Sequence, residues 1–521
     1  NRERYNTEAI ILKQQFTEIF NIFCKVMNQI HNEKLPKRYW AILTERWFTD
    51  YLQIFYDRYI TINELKKKLV DFEYRCLDPK KFKTPYGMAQ SVDELSKDHC
   101  YNEQIYSQIL NDNYLNKISF NSLESFVRVT RKPNVANKIY LASLYQGHAD
   151  DITKIFNDLN NLGELCNYNK DYESITTTNK LNIRRLYFDE CADKANEFQR
   201  LFFRSLIVNA PKSIIESLAN NRNLLLQKSR LPKLTVTTND HVHSYLTKLM
   251  MAESTLVGSK MIWGQHGANY GAFFLDLDHR HEFKNPDTFF SWGWAPSDQK
   301  KIKNIPSLSI SGLVKRFKNE KNNGPLLFIS SNAPKYLFNF RSHTVASDVI
   351  HYSKMQLQFI NQLENDVIKN MYYRPYFDDY DQGVEENISR KYPQIRILNG
   401  GDIIQMFDNF RLIVLDRPDC SSFGNLLGIN KPFLVFFKKE HFKFSKLSSK
   451  IFDKMHESGI VHYSEKSAAS FVNKIFNAPT KWWYSDIVQE SRKSYCKRFA
   501  NYNKNFVKMW SNQILEEYYT N

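Results

Sequence analysis

The chain has 521 residues, 42% of them apolar and 15% aromatic, enough to bury the cores of two domains. Only 16 of its residues are glycine, which argues against a repetitive all-β protein built on tight turns. Lysine and arginine total 72 against 56 acids, a net charge of +16, which favours a polyanion, an anionic membrane face or an anionic small substrate.

The first 80 residues read as helices. "TEAIILKQQFTEIFNIFCKVMNQIH" and "KRYWAILTERWFTDYLQIFYDRYITINELKKKLVDF" both repeat apolar residues at helical spacing, and Trp40, Trp47, Tyr51 and Tyr59 read as helix core. From about residue 137 the period changes. "NKIYLASLY", "LTVTTND" and "KMIWGQHG" read as strands, and "DTFFSWGWA" and "SLSISGLV" as a further pair; residues 193–208 and 242–253 between them read as helices. The polar, basic "KRFKNEKNNG", 315–324, has the composition of a linker. A second alternating series follows: "PLLFISS", "KNMYYRPY", "IRILNG", "RLIVLDRPD", "KPFLVFF" and "GIVHYS". From "KWWYSDIV" onward the pattern predicts one or two long basic, aromatic helices.

Short apolar strands alternating with helices predict parallel, doubly wound sheets. The expected domains are 1–314, an α/β domain with a helical N-terminal region, and 325–480, a second α/β domain. Helices over 481–521 follow and are expected to cross back to the first domain. Two Rossmann-like domains facing a cleft form the GT-B layout of glycosyltransferases, a layout that does not by itself give function.

The seven cysteines are scattered, odd in number and without C-x-x-C, which argues against a disulfide framework or a zinc ribbon. The N-terminal stretch is charged throughout, and no apolar run approaches the roughly 18 residues needed to span a bilayer. The expectation is a reduced, cytoplasmic protein able to touch the inner face of the membrane peripherally.

Five of the thirteen histidines fall between residues 241 and 281: His241, His243, His266, His279 and His281. Asp240, Asp276, Asp278 and Glu282 lie among them. "HVH" and "HRH" offer paired imidazoles, but H-E-x-x-H and other recognised ligand spacings are absent, and no metal is expected. His266 stands out, because it sits where a strand ends in "GQHGANYG". Gly267 and Gly271 are expected to let the backbone come close to a ligand, in a turn whose amides form an anion nest. In "RLIVLDRPDCSSFGNLLGINKPFLVFF" a strand is followed by the loop from Asp416 and then a short helix that Ser421 or Ser422 is expected to cap. Helix N-termini favour phosphate. Arg374 ends another strand, and Pro375 holds it out of the helical region, so that its guanidinium is offered to a phosphate or carboxylate. P-loop, G-x-G-x-x-G and G-x-S-x-G motifs are absent.

"KRYWAILTERWFTDYLQIFYDRY", "TTNDHVHSYLTKLMMAE", "GSKMIWGQHGANYG", "DTFFSWGW" and "YYRPYFDDYD" together resemble a bacterial family of transferases from surface-carbohydrate loci. The resemblance runs from about residue 35 to 440, and "GQHGANYG" and "SWGW" are its most specific pieces. The family is similar to a wider GT-B group that holds teichoic-acid glycerophosphotransferases and capsule ulosonic-acid transferases, and its members tend to lie near genes for nonulosonic sugars. The resemblance implies a CMP-activated ulosonic acid as donor, a surface glycan or lipid-linked glycan as acceptor, and no metal or other cofactor. GT-B ulosonic-acid transferases often carry His-Pro in the second domain, where this chain has Arg374-Pro375. Arginine offsets phosphate charge but donates no proton at neutral pH, so Arg374 would act by charge alone. With CMP leaving, Arg374, Ser421 and Ser422 would offset phosphate charge. His266, Asp240 and Glu282 are the candidates for the base that takes the acceptor proton. The rival readings are a CDP-glycerol glycerophosphotransferase, a basic nucleic-acid-binding protein and a non-catalytic scaffold. No nucleic-acid motif is present, and nucleic acid is not an expected partner.

Overall fold

The computed structural model describes residues 2–69, 73–121, 129–130, 132–144, 147–165, 181–191, 196–267, 270–273, 280–295, 299–317, 323–340 and 348–520. Two long helices open the chain, α1 (Arg2–His31) and α2 (Lys37–Lys68). Two shorter ones, α3 (Met88–Lys97) and α4 (His99–Leu110), follow. Trp40, Trp47 and Tyr51 are buried, and Phe48 receives Phe16, Phe20 and Phe23 from α1. α2 buries residues on all sides, because α1, α4 and the first sheet domain surround it. Its interior charge is tied down: Arg58 donates to Asn102, to Asp57 and to the Leu337 carbonyl.

The first large sheet holds β1 (Val135–Leu141), β2 (Gly163–Leu165), β3 (Leu231–Thr237), β4 (Lys260–Gly264), β5 (Thr288–Ser291) and β6 (Ile302–Asn304). Its order is β2-β1-β3-β4-β5-β6, all parallel. The second holds β7 (Leu326–Ile329), β8 (Met371–Arg374), β9 (Arg396–Ile397), β10 (Leu412–Leu415), β11 (Phe433–Phe436) and β12 (Val461–His462). Its order is β9-β8-β7-β10-β11-β12, again all parallel, which is the Rossmann order. All six strands expected in this half are present.

Both sheets are buried on two faces, as parallel sheets require. In β7 and β10, Leu326, Phe328, Leu412 and Val414 point into one core, while Leu327, Ile413 and Leu415 point into another. In the first sheet Met261, Trp263 and Phe289 face the helical N-terminal mass, and Leu234, Val236, Ile262 and Phe290 face the other way. That second face is covered by the C-terminal helix Phe506–Tyr519, whose Trp510 meets Phe290 edge-on at 5.1 Å. The preceding helix, Asp486–Phe499, packs Tyr495 against Phe423 of the second domain. The end of the chain therefore runs from the second domain back onto the first. The architecture is two doubly wound α/β domains with added helices, the GT-B layout.

One expected strand is a helix. "SLSISGLV" alternates like a strand, yet Leu308–Arg316 is helical, with the Ser307 hydroxyl accepting from the Ile310 amide. The cap and packing against the helix Ser421–Gly428 override the alternation. The sixth strand of that sheet is the preceding Ile302–Asn304, and β2 is a three-residue edge strand with no pattern to announce it. Within the basic stretch at 315–324, Lys315 and Arg316 both pair with buried Asp151, at 3.1 and 2.9 Å; residues 318–322 lie outside the described ones.

Candidate active site

Strands of a doubly wound sheet deliver their loops to the carboxyl edge, where ligands bind at the point of reversal. In the first sheet the order reverses between β1 and β3. β3 runs into Thr238-Asn239 and the helical turn Asp240–His243, and its neighbour β4 runs into Gln265-His266. This pairing places His241 and His266 side by side, with ring centroids 6.3 Å apart.

Four side chains form a continuous hydrogen-bonded line there. His241 Nε2 lies 3.1 Å from Glu282 Oε2, the Tyr270 hydroxyl donates to the same oxygen at 2.7 Å, and the Tyr270 oxygen lies 2.7 Å from His266 Nδ1. Glu282 and His241 have fully buried side chains, while that of His266 keeps 24% of its surface exposed. His241 stacks on Trp263, 4.8 Å between centroids, and burial holds its imidazole below the ordinary value. With Glu282 ionised, the proton count along these contacts sets the tautomers. An ionised Glu282 only accepts, so Tyr270 gives it the one phenolic proton and His241 gives it the Nε2 proton. The Tyr270 oxygen must therefore accept from His266 Nδ1–H, which leaves His266 Nε2 with its lone pair. A base held in one tautomer by a chain ending in a carboxylate can take a proton from a hydroxyl.

His266 and Glu282 are brought together here. Asp240 stands beside them but accepts from the Thr247 hydroxyl at 3.1 Å, and it bears on the line only through its charge near His241. Sequence reasoning passed over Tyr270 and His241. Tyr270 was in view inside "GQHGANYG", but its partner Glu282 lies twelve residues on, beyond any local pattern. His279, Asp276 and Asp278 lie outside the described residues. His241, His266 and Glu282 also offer ligand atoms within 4.8 Å of one another, three donors of the kinds that zinc takes.

The two glycines do different things. Gly271 has φ +74, and a Cβ there would lie 1.5 Å from Trp294 Nε1, so this glycine is required by the indole packed on it. Gly267 has open space where a Cβ would be. The motif pieces "GQHGANYG" and "SWGW" are thus one structure: Gln265 Oε1 accepts from the Trp292 amide at 3.0 Å, and Gly271 seats Trp294. The same turn docks on the second domain, where Phe273 meets Phe442 and Phe444 and the Ala272 carbonyl accepts from the Ser445 amide at 2.8 Å.

At the reversal point of the second sheet, between β7 and β10, the pattern is more structural. Asp416 is buried and accepts from the Ser331 amide at 3.0 Å and from Gln356 Nε2 at 2.7 Å; burial pushes its carboxyl up to about 6. It ties two loops together. Arg374 donates to the carbonyls of Leu398, Gly400 and Gly401, so much of its guanidinium is committed to the 398–401 loop. Ser421 and Ser422 are not the cap. Cys420 occupies that position without a side-chain cap bond, and the two hydroxyls lie in the first turn of Ser421–Gly428. The Phe423 amide donates to the Cys420 carbonyl at 3.2 Å, and the thiol is a weaker acceptor than the hydroxyl of a serine cap.

The family model of the LIC12162 family transferase matches residues 1–514. Among solved structures, the chain is similar to the wall teichoic acid polymerase TagF, with 11% identity, 82% of this chain and 96% of that one covered, and a TM-score of 0.37. It is also similar to the UDP-GlcNAc 2-epimerase from Neisseria meningitidis bound to UDP-GlcNAc, with 8% identity, 73% and 100% coverage, and a TM-score of 0.39. No curated protein matches the chain. With nearly its whole length matched, the chain belongs to the LIC12162 family of transferases.

Proposed function

We propose that the protein is a metal-independent glycosyltransferase that moves a nonulosonic or ulosonic acid from a CMP-activated donor to a surface glycan or lipid-linked glycan acceptor. The observation that carries this reading is the line His266–Tyr270–Glu282–His241, a base with a fixed tautomer at the carboxyl edge of the first sheet. His266 takes the acceptor proton as the acceptor oxygen attacks the anomeric carbon, and CMP leaves with the bonding electrons. The phosphate of CMP is met by the amides and hydroxyls at Ser421 and Ser422, with Arg374 adding charge from the edge of the loop it holds. No helix among the described residues is long and apolar enough to cross a membrane. Acceptors on a lipid would be reached from the membrane surface, to which the net charge of +16 is suited.

The test is CMP release from a CMP-activated nonulosonic acid and, separately, from CDP-glycerol, each with a glycan acceptor. Release from the CMP-sugar alone supports the reading, and release from CDP-glycerol alone replaces it by glycerophosphotransfer. In calorimetry with CMP, Ser422→Ala is expected to weaken binding roughly tenfold, the loss of one hydrogen bond to a charged group. Unchanged CMP affinity would remove the helix start from the nucleotide site. Activity is expected to persist in EDTA, because the proposed anion site is made of amides, hydroxyls and arginine. Activity lost in EDTA and restored by Zn²⁺ would instead make His241, His266 and Glu282 ligands.

A further inference from the structure

Next to the His266 line lies a cavity of about 350 Å³ that the proposed reaction does not yet use. Loops from the carboxyl edges of both sheets reach it: His243 after β3, Phe338 after β7 and Tyr380 after β8. Lys248, then Arg46, Trp47 and Asp50 from α2, and Asp93 from α3 also line it. The volume is at the lower end for small-molecule sites, enough for one sugar-sized group.

Its wall carries two carboxylates, Asp50 and Asp93, beside the cations Arg46 and Lys248. Lys248 is 3% exposed, yet its ammonium donates only to the Val242 carbonyl, at 3.3 Å, and makes no ion pair among the described residues. The nearby carboxylates are occupied: Asp50 accepts from Arg46 at 3.0 Å and Asp93 pairs with Lys97 at 2.9 Å. His243 makes no hydrogen bond among the described residues, and its charged neighbours are Arg46, Lys248 and the imidazoles of His266 and His241. Asp50 attracts the Lys248 ammonium without pairing with it, and a buried ammonium held by a single carbonyl gains when an anion arrives in contact. Burial, followed by the repulsion of Arg46, lowers Lys248 to about 8 against the opposing attraction of Asp50, and an incoming anion would add to that attraction.

We propose that this cavity is the anion subsite of the transferase, binding the carboxylate or phosphate ester of an acidic sugar on Lys248 and His243. The sugar ring lies between Trp47, Phe338 and Tyr380. The inference rests on the proposed glycosyl transfer and deepens it: the anionic group anchors the sugar beside His266, and a neutral sugar forfeits that anchor.

Three probes test it by calorimetry on the full chain: N-acetylneuraminic acid for the carboxylate, glucose 6-phosphate for the phosphate ester, and N-acetylglucosamine as the neutral control. One of the two anions is expected to bind at least tenfold more tightly than the neutral sugar, and which one identifies the group. Lys248→Met is expected to weaken that binding tenfold or more, and Lys248→Arg to restore part of it. CMP affinity is expected to stay the same. His243→Gln, at an exposed position, gives the same reading if Lys248→Met does not fold. The subsite is overturned if neither anion outbinds the neutral sugar, or if the folded variants bind the anion as wild type does. An acid that binds through Lys248 while CMP fails to bind wild type would uphold the subsite and sink the nucleotide assignment alone.

Discussion

His266→Ala is expected to lower kcat by about 10²-fold or more, with the affinity for CMP changed by less than about twofold. The imidazole is the one partly exposed member of the buried line, and its Nε2 is the atom left to accept a proton. Removing it takes away proton transfer while the second domain, the proposed nucleotide site, is untouched. The opposite split, a large loss in donor affinity with kcat preserved, would make His266 a ligand for the donor and pass the base to Asp240 or Glu282. Two milder variants test how the line works. Tyr270→Phe removes the link between His266 and the carboxylate, and roughly a tenfold loss in kcat is expected, one hydrogen bond to a charged chain. Glu282→Gln replaces an acceptor-only carboxylate by an amide that can donate, so the Tyr270 proton need no longer point inward. A loss in kcat at unchanged KM is expected, and wild-type kcat in both variants would show that the line is structural.

The sequence made some of this legible. "KMIWG" and "LTVT" are short, apolar and bounded by turn residues, which is why β3 and β4 could be placed and His266 put at a strand's carboxyl end. All strands of the second sheet had the same signature. What failed was local mimicry and distance. "SLSISGLV" alternates, but a serine cap and a partner helix decide its state. Glu282 was nameable as an acid in a histidine-rich stretch; its link to Tyr270 and His241 is a product of the sheet bringing β3, β4 and the helix Arg280–Lys284 together. Arg374 and Asp416 carried the residue types of a ligand site, and the fold spends them on loop carbonyls and a loop amide. A polar side chain at a strand end has two competing claims, the ligand and the orphaned backbone groups of its own loops, and only packing shows which one wins. Lys248 went unnoticed because it sits inside a helical pattern, where lysine ordinarily means solvent.

Gly271→Ala is expected to destabilise the protein by about 2–4 kcal/mol, far beyond a usual glycine-to-alanine change. Two costs add. An L-residue at φ +74 gives up roughly 1 kcal/mol, and a Cβ 1.5 Å from Trp294 Nε1 forces the indole or the turn to move. Gly258 separates the two costs, since it has φ +82 and nothing within 4 Å of its would-be Cβ. Gly258→Ala should therefore lose only the backbone part, about 1 kcal/mol. Trp294→Ala made together with Gly271→Ala should return the second substitution to that same small cost, a coupling of roughly 1–3 kcal/mol in urea or thermal unfolding. The turn also carries Tyr270, one residue before, and Phe273, which meets Phe442 and Phe444 of the second domain. Displacing it moves the phenol away from His266, so Gly271→Ala should lose kcat at temperatures where it is still folded, whereas Gly258→Ala should not. Equal costs for Gly271→Ala and Gly258→Ala, with kcat intact in both, would mean that the two motif pieces are merely neighbours. Unequal costs with kcat lost only at Gly271 would mean that the indole of one motif holds the base of the other in place.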